Sequence, residues 1–273
     1  MIGFAPAKIN IGLAITGKRN DGYHDIESLM VQIPFFDIIE MHPAKEFSFY
    51  SSGIPIPHTP SNLCEQAYAL MKENFAIEPI SIHLRKQIPI GAGLGGGSSD
   101  ASFVLKAINE LYNLKLDTEK LRALSSNLGS DCPLFIEPNA QFATGRGEQL
   151  KPFKVRFENH YLYLLNPKIH ISTAKAYSLI QTYSKPNVLE KNLLRPIEDW
   201  RHHIQNDFEE AFETSFPEII ELKEKLYNSG AIYASMSGSG SSVFGIFNES
   251  KLPNITDFQE HIVYQGKFDT DYL

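Results

Sequence analysis

The sequence predicts an α+β protein with two domains, the first over residues 1–154 and the second over residues 155–273. In each half of the chain, runs with strand periodicity are followed by segregated runs with helical periodicity. The length of 273 residues suits one large domain or two modest ones with ample core. A hydrophobic content of 42% and a charged content of 21% are ordinary for a soluble globular protein.

Charge and cysteine usage argue against several classes of function. The chain carries 25 Lys and Arg against 32 Asp and Glu, a net charge of −7, which argues against sequence-independent nucleic-acid binding. Cys64 and Cys132 lie far apart, so neither a disulfide framework nor a zinc site is expected. No apolar run approaches the length of a membrane span, and the first residues do not resemble a signal peptide. We expect a cytoplasmic protein, and a monomer because no long apolar face is left over.

The first domain is predicted to open with antiparallel strands. Apolar residues alternate with polar or small ones over residues 7–16, which predicts a strand with one buried face. Lys8 and Asn10 then lie side by side on the other face, about 7 Å apart. A polar loop with an Asn-Asp-Gly turn follows over residues 18–25. Further strands are predicted over residues 26–33, 36–41 and 46–50, and their short connections favour antiparallel pairing.

Helices and one more strand complete this domain around a glycine-rich run. Residues 59–62 are a helix-start signal, and helical spacing continues to residue 75. A strand over residues 80–88 leads into the glycine-rich run, and the apolar stripe behind it predicts a helix from Ser98 or Ser99. Further helices are predicted over residues 117–129, closed by Gly129, and around Pro133.

The second domain is predicted to contain four strands and five helices. The strands cover residues 161–167, 231–235, 243–247 and 262–264, with a hairpin between the second and the third. The helices cover residues 172–180, 198–204, 208–214, 217–227 and 255–261. Residues 184–195 are polar and are predicted to form a connecting loop.

The glycine-rich run is the most informative stretch of the sequence. Five glycines fall within residues 91–97, between a strand and a helix. Glycine permits positive φ and lets a ligand approach the backbone closely. At the start of a helix, such a run aims unpaired N–H groups and the positive end of the helix dipole at one point, which suits a phosphate. A loose surface loop is the simpler alternative, but most Gly/Ser linkers are not held between a strand and a helix.

Two familiar nucleotide motifs fit the glycine-rich run poorly. Residues 91–96 match G-x-G-x-x-G, but a dinucleotide fold needs the following helix to lead into a second parallel strand, and here it leads into another helix. No G-x-x-x-x-G-K-[ST] occurs, which excludes a Walker A loop. A different phosphate cradle remains. Residues 237–242 are a second Gly/Ser segment, between two strands, and taken alone they could be only a flexible hairpin tip. Together with the glycine-rich run, Lys8 and Asp131, they indicate a phosphate site for phosphoryl transfer.

Three segments make the sequence similar to the GHMP small-molecule kinases: residues 6–10 (PAKIN), 89–99 and 237–242. Within that superfamily it most resembles the kinases that act on a cytidylylated methylerythritol, through residues 19–24 (RNDGYH), 93–100 (GLGGGSSD) and 128–133 (LGSDCP). The likeness covers nearly the whole chain except residues 184–195 and the C-terminal tail. It implies a GHMP kinase-like fold, with an N-terminal β-rich α+β domain that carries the phosphate loop and a C-terminal ferredoxin-like α+β domain.

The resemblance also implies an activity, which is ATP-dependent phosphorylation of the 2-hydroxyl of the cytidylylated methylerythritol in non-mevalonate isoprenoid synthesis, with Mg²⁺. Asp131 matches the family's general base, Lys8 the lysine that stabilises the nucleophile, and Asn10 a contact to the methylerythritol part. The residues that match the ATP-phosphate loop are Pro89, Ile90, Gly91, Ala92, Gly93, Leu94, Gly95, Gly96, Gly97, Ser98 and Ser99. The residues that match cytidine contacts are Tyr23, His24, Thr173 and Tyr177, with Tyr177 where an aromatic ring stacks on the base.

The chemistry of phosphoryl transfer agrees with these roles, because it needs mainly positioning and charge stabilisation. A positioned base such as Asp131 contributes roughly 10²–10⁴-fold. Lys8 lowers the pKa of the attacking hydroxyl and offsets the charge that develops on it. Tyr23 offers a stacking face, and the ring of His24 offers one donor and one acceptor to a pyrimidine edge. The Mg²⁺ ligands are not specified by the sequence; Ser99 and Asp100 are candidates.

Simpler interpretations and other functions stay open. A lone lysine on a strand is usually solvated, an aspartate before Cys-Pro usually caps a helix, and a Tyr-His pair in a loop usually lies on the surface. The same fold could serve mevalonate, homoserine or a sugar, or could be a non-catalytic ligand-binding regulator. The Tyr23-His24 pair favours a nucleotide-bearing substrate, and the presence of Lys8 and Asp131 argues against an inactive scaffold. Residues 206–209 resemble a family segment whose role the sequence does not explain.

Overall fold

A computed structural model describes residues 1–57 and 61–268, which form two compact units, each discontinuous in sequence. The first unit contains Met1–Ala7, Phe35–Ile90 and Gly95–Pro138, and the second contains Lys8–Pro34, Gly91–Leu94 and the chain from Asn139 onward. The strands β1 (Ile2–Lys18) and β2 (His24–Pro43) therefore contribute residues to both units. The domain boundary after residue 154 stays a prediction.

Strand β1 is longer than predicted and is buried on both faces. Residues 7–15 are all buried, so the prediction of a single buried face is wrong. Lys8 and Asn10, expected on the face away from the core, are only 3% and 1% exposed. They hydrogen-bond to each other, which offsets the cost of taking their polar atoms out of water.

Strand β2 replaces two predicted strands with a single strand of 20 residues. Its residues 28–30 pair with β5 (Gln141–Thr144), and its residues 38–43 pair with β4 (Ile80–Lys86), in both cases antiparallel. Pro34 lies between these two stretches, so its missing N–H removes no hydrogen bond from either ladder. The proline therefore does not divide the strand.

Strand β3 (Ser48–Gly53) departs from the predicted antiparallel arrangement. It lies parallel to β4 instead of pairing with β2, the strand before it. The connection from β3 to β4 contains helix α1 (Leu63–Asn74), and a crossover of this length is what a parallel pair needs. The short connection from β2 to β3 would have permitted an antiparallel pair, but β3 pairs instead with β4, across the long connection that contains α1.

The first unit also contains the helices α1, α2 (Gly96–Leu111) and α3 (Thr118–Ser125). Asn62 begins α1 as predicted, in a capping box with Glu65, whereas Thr59 and Pro60 lie outside the described residues. Helix α2 starts two residues before the predicted Ser98. Helix α3 ends at Ser125, so the prediction that Gly129 closes it is wrong. The apolar faces of these helices pack with β4 in one core, which includes Met71, Ile82, Val104, Ile108 and Leu124.

Residues 132–136 form a 3₁₀ helix (Cys132–Ile136) where a further helix was predicted around Pro133. Pro133 lies in its first turn, as expected for a residue that lacks an N–H donor. All five residues of this short helix are buried.

The second unit contains a four-stranded antiparallel sheet in the order β10–β7–β9–β8. Its strands are β7 (His160–Leu165), β8 (Tyr233–Met236), β9 (Val243–Asn248) and β10 (Ile262–Lys267). Counted along the chain, the order is fourth, first, third, second, and β8 and β9 form the predicted hairpin. This arrangement agrees with the ferredoxin-like expectation. The hairpin of β5 and β6 (Gln149–Pro152) was not predicted, because two strands of four residues leave too short a pattern.

Five helices lie in the described part of the second unit. They are α4 (Thr173–Ser178), α5 (Leu189–Leu193), α6 (Trp200–His203), α7 (Asp207–Phe212) and α8 (Pro217–Asn228), with 3₁₀ turns at Ile197–Asp199 and Gln259–His261. Helix α5 falls where a loop was predicted, and it is held by the burial of Leu189 and Leu193. The helix predicted over residues 255–261 is only the second of these turns. No helix in the described part of the chain is long and apolar enough to cross a membrane.

Candidate functional site

The glycine-rich run takes the backbone conformation that only glycine adopts easily. Gly91, Gly93 and Gly95 have φ of +65°, +78° and +68°. Gly95 is the N-cap of α2, and no side chain caps the helix. The first N–H groups of this 16-residue helix therefore remain available to a ligand. The geometry is that of an anion site built from backbone amides.

Ser99 adds a side-chain group to the same helix start. It is fully buried, and its Oγ has no hydrogen-bond partner among the described residues. A buried hydroxyl costs free energy unless a partner satisfies it. An orphaned Oγ beside uncapped helical amides fits a phosphate group.

The structure brings the two Gly/Ser segments into direct contact. Ser237 Oγ donates a hydrogen bond of 2.9 Å to the carbonyl oxygen of Gly93. The amide of Ser242 donates one of 3.2 Å to the carbonyl of Ala92. A Cβ on Gly93 would lie 2.0 Å from the carbonyl oxygen of Ser237, so no side chain fits there. The hairpin between β8 and β9 is thus a support for the glycine-rich run.

Asn206 and Glu209 hold this hairpin in place, which gives a role to a segment that the sequence left unexplained. Asn206 Nδ2 donates to the carbonyls of Met236 and Gly238, at 2.9 and 2.8 Å. Glu209 Oε1 accepts from the Met236 amide at 2.7 Å and from the Ser235 hydroxyl at 2.9 Å. Sequence reasoning missed this function because the donors and acceptors lie 26 to 32 positions apart.

Lys8 is bound to the glycine-rich run through its backbone and to Asn10 through its side chain. Its amide donates to the carbonyl of Leu94 at 2.9 Å. Its Nζ donates to Asn10 Oδ1 at 2.5 Å, and Asn10 Nδ2 donates to Ser28 Oγ at 2.8 Å. The interpretation of Lys8 as an ordinary solvated lysine is therefore wrong. Both polar atoms of the Asn10 side chain are therefore used within the protein: Oδ1 accepts from Lys8 and Nδ2 donates to Ser28.

Asp131 stands before the 3₁₀ helix Cys132–Ile136, but its carboxylate makes no capping hydrogen bond. The simple interpretation of this residue as a helix cap does not hold. Its neighbour Cys132 is buried, and burial raises the pKa of that thiol to about 11, so the thiol stays protonated. Asp131 itself is half-buried. Lys8 belongs to the second compact unit and Asp131 to the first.

An aromatic cluster surrounds His24 in the second unit. The rings of His24 and Tyr177 stack with centroids 4.6 Å apart and planes 13° from parallel. Tyr183 lies 6.2 Å from His24, and Phe208 meets the ring of Tyr177 edge-on at 5.0 Å. Burial, and to a smaller extent Lys18, lowers the pKa of His24, which favours the neutral ring with one donor and one acceptor. A stacked pair leaves no room for a base between its rings, so a base would have to stack on an outer face.

Tyr23 and Thr173, the other predicted cytidine contacts, do not join this stack. Tyr23 is 55% exposed, and the guanidinium of Arg146 lies 4.9 Å above its ring. Arg146 comes from the turn of the β5–β6 hairpin, which the sequence did not reveal. Thr173 is exposed at the first position of α4, where Ser172 is the N-cap.

Asp100 fits the predicted role of Mg²⁺ ligand poorly. Its side chain is 2% exposed, and its Oδ2 accepts a hydrogen bond from Lys86 Nζ at 2.7 Å. Lys86 also forms an ion pair with Asp37. The sequence did not reveal this pair because 49 positions separate the two residues. Within the described residues, no group of three or more His, Cys, Asp or Glu side chains could hold a metal ion.

Comparisons with known proteins agree with this geometry. The model of the GHMP kinases N terminal domain matches residues 62–136, and that of the GHMP kinases C terminal domain matches residues 188–258. A 4-diphosphocytidyl-2-C-methyl-D-erythritol kinase from Azobacteroides pseudotrichonymphae is 47% identical over 255 residues, which are 93% of this chain and 96% of the relative. A crystal structure of 4-(cytidine 5'-diphospho)-2C-methyl-D-erythritol kinase has a TM-score of 0.77 at 31% identity, over 90% of this chain and 89% of its own. Mevalonate kinase from Methanococcus jannaschii has a TM-score of 0.71 over 92% of both chains, but at 16% identity the likeness extends to the fold alone.

Proposed function

The chain belongs to the GHMP kinases, and we propose that it transfers the γ-phosphoryl group of ATP to the 2-hydroxyl of 4-diphosphocytidyl-2-C-methyl-D-erythritol, in non-mevalonate isoprenoid synthesis. The observation that carries the proposal is the buried lysine Lys8, hydrogen-bonded to the glycine-rich run through its backbone and oriented by Asn10. A buried cation with a fixed orientation is what stabilisation of a phosphoryl acceptor requires. The identity of the substrate rests on the relatives that share 47% and 31% of their residues with the chain.

The glycine-rich run supplies the binding site for the ATP phosphates. The amides at the start of α2 and the Ser99 hydroxyl would donate to phosphate oxygens, and the helix dipole favours their negative charge. Mg²⁺, when bound, neutralises phosphate charge. The described residues contain no group of three or more His, Cys, Asp or Glu side chains that could hold a metal ion, so phosphate oxygens and water would supply most of its ligands.

Lys8 and Asp131 act on the hydroxyl that is phosphorylated. Lys8 lowers the pKa of that hydroxyl by offering a fixed positive charge to the developing alkoxide. Asp131 accepts the proton as general base, the role that its match to the family's base implies. Asn10 keeps Lys8 Nζ in position by accepting its hydrogen bond. Its effect on the methylerythritol part of the substrate is therefore mainly indirect, through Lys8.

The aromatic cluster recognises the cytosine. The neutral ring of His24 presents one donor and one acceptor, and its outer face, opposite Tyr177, offers a stacking surface. Tyr23 provides a second aromatic face, and Thr173 a hydroxyl at the start of α4. Because both substrates are small and water-soluble, we place the reaction in the cytoplasm. A monomeric state and the lack of a membrane or nucleic-acid partner are part of the same proposal, and the net charge of −7 supports the lack of a nucleic-acid partner.

A second candidate keeps the fold and changes the alcohol. Mevalonate, homoserine and sugar kinases belong to the same superfamily. The fold of the chain is similar to that of mevalonate kinase, so a substrate of this kind is the second candidate. The stacked His24–Tyr177 pair argues against it, because an alcohol without a base has no use for an aromatic platform.

The test is ADP release by the purified protein with Mg-ATP and four acceptors: the cytidylylated methylerythritol, mevalonate, homoserine and galactose. We expect turnover of the first alone. Lys8→Met should abolish it, whereas Lys191→Met, a change at an exposed lysine of α5, should not, which separates the protein's activity from that of a contaminating kinase. Turnover of mevalonate without the cytidylyl compound would establish the second candidate. ADP release from none of the four would favour a ligand-binding regulator.

A further inference from the structure

A buried ion-pair network in the first unit is used by no step of the proposed reaction. Lys86 Nζ donates to Asp37 Oδ2 at 2.5 Å and to Asp100 Oδ2 at 2.7 Å. The side chains of Lys86, Asp37 and Asp100 are 4%, 0% and 2% exposed. One ammonium therefore serves two carboxylates in the interior, and Asp100 Oδ1 has no hydrogen-bond partner among the described residues.

The network joins the two ends of the glycine-rich run. Lys86 is the last residue of β4, and Asp37 Oδ1 accepts hydrogen bonds from the amides of Gln87 and Ile88, at 2.5 and 2.9 Å. These residues lead directly into Pro89, the first residue of the phosphate loop. Asp100 lies in the first turns of α2, at the other end of the loop. The distance between the entry and the exit of the loop is thus set through one ammonium group.

Gly96 shows how closely the network approaches the loop. A Cβ at this first residue of α2 would lie 2.9 Å from Lys86 Nζ and 2.9 Å from Ile88 Cγ2. Such distances are shorter than real Cβ contacts allow, so Lys86 would have to shift if residue 96 carried a side chain. The first turn of α2 and the ammonium therefore constrain each other.

Stability does not explain an arrangement of this kind. Taking two carboxylates and an ammonium out of water costs several kcal/mol per ion, and well-packed apolar residues are often at least as stable in their place. The excess negative charge adds to that cost: burial, together with Asp37, raises the pKa of Asp100 to about 7 although Lys86 opposes the shift. What an apolar replacement cannot supply is a fixed distance between two backbone segments.

We propose that Asp37, Lys86 and Asp100 are positioning residues for the nucleotide: they hold the ends of the glycine-rich run at the separation that binds the ATP phosphates. The inference rests on the proposed function, since it takes the run as the ATP site. None of the three side chains is assigned a contact with ATP; they act through the loop backbone.

The test compares Asp100→Ala with Lys106→Met. Asp100→Ala removes the anchor at the start of α2 and leaves Asp37 and Lys86 as a balanced pair. Lys106 is the control, because it is a half-buried lysine two turns further along α2, and its Nζ donates to the carbonyl of Phe135, which lies outside the loop. The readouts are the melting temperature and the Kd for adenylyl imidodiphosphate with Mg²⁺, by calorimetry.

We expect Asp100→Ala to weaken nucleotide binding about tenfold or more and to raise the KM for ATP, with the KM for the alcohol unchanged. Asp100→Asn should restore binding, because its amide oxygen still accepts from Lys86 Nζ. Lys106→Met should change the melting temperature alone. If Asp100→Ala does not fold, Lys86→Arg keeps the charge and alters the donor geometry, and it must weaken nucleotide binding likewise.

Nucleotide binding by folded Asp100→Ala, or by Lys86→Arg if that variant is needed, within twofold of the wild-type value would overturn the inference. So would equal losses in Asp100→Ala and Lys106→Met. Failure of the wild-type protein to bind the nucleotide would instead overturn the proposed function, so the two failures are distinguishable.

Discussion

Replacement of Gly93 by alanine tests the contact between the two Gly/Ser segments most sharply. The new Cβ would lie 2.0 Å from the carbonyl oxygen of Ser237, which is backbone and cannot rotate away. To reach even 3.0 Å, one of the two segments must move by about 1 Å. The φ of +78° adds about 1–2 kcal/mol for a residue with a Cβ, and overpacking adds about 1–3 kcal/mol. We expect Gly93→Ala to lower the free energy of unfolding by about 2–5 kcal/mol.

The same displacement should impair catalysis, since a shift of about 1 Å in a positioning element can cost about 10²-fold in rate. The assay is urea unfolding together with kcat/KM for ATP. Gly230→Ala is the matched control, because Gly230 has φ of +98° and nothing within 4 Å of the added Cβ. It should lose only the backbone contribution of about 1–2 kcal/mol and should keep full activity. Equal losses of stability in the two variants, with kcat/KM unchanged in Gly93→Ala, would refute the reasoning.

Three other predictions concern single side chains. Asp131→Asn should lower kcat by roughly 10²–10⁴-fold while the Kd for ATP stays within a few-fold, as measured by turnover and calorimetry; a wild-type kcat would remove Asp131 from the mechanism. His24→Ala should raise the KM for the cytidylyl substrate far more than the KM for ATP, and equal effects on both in steady-state kinetics would refute the cytosine assignment. The folded pKa of Asp100, about 7, lies above its ordinary value of 3.8, so the native state binds the extra proton between these values. The contribution of Asp100 to the free energy of unfolding should therefore fall as the pH rises from about 4 to about 7, and Asp100→Asn should flatten urea-derived stability over that window; parallel profiles for the two proteins would contradict the assignment.

Local patterns predicted the parts of the fold whose causes lie within a few residues. The start of α1 follows from the capping box of Asn62 and Glu65, three positions apart. The glycine-rich run predicted the end of β4 and the start of α2 to within two or three residues, because its residues fix their own backbone conformation. The hairpin of β8 and β9 was recognisable for the same reason.

Long-range contacts explain where the sequence-based expectations failed. The parallel pairing of β3 with β4 depends on a partner about thirty positions away, across α1. Helix α5 has five residues, fewer than a periodic pattern needs, and it depends on the burial of Leu189 and Leu193. Lys8 and Asn10, which were expected on a strand surface, are buried and also bond to residues far away in the chain: the Lys8 amide to Leu94, and the Asn10 side chain to Ser28.

The candidate site divides in the same way. Lys8 and the glycine-rich run could be named from the sequence because their spacing resembles a family, although the catalytic roles of Lys8 and Asp131 stay predictions. The residues that hold the site in place could not be identified from the sequence. Asn206 and the Asp37–Lys86 pair act across 30 and 49 positions, and nothing in their sequence neighbourhoods indicates the partner.

The position of the transferred phosphoryl group tests the central claim most directly. Carbon 2 of the methylerythritol carries a methyl group and no hydrogen, so a phosphate on its hydroxyl has no proton three bonds away. The measurement is the proton-coupled ³¹P spectrum of the product formed from the cytidylylated methylerythritol and ATP. The account predicts a new monoester resonance that is a singlet. A monoester resonance split by protons, or no monoester at all, would contradict it.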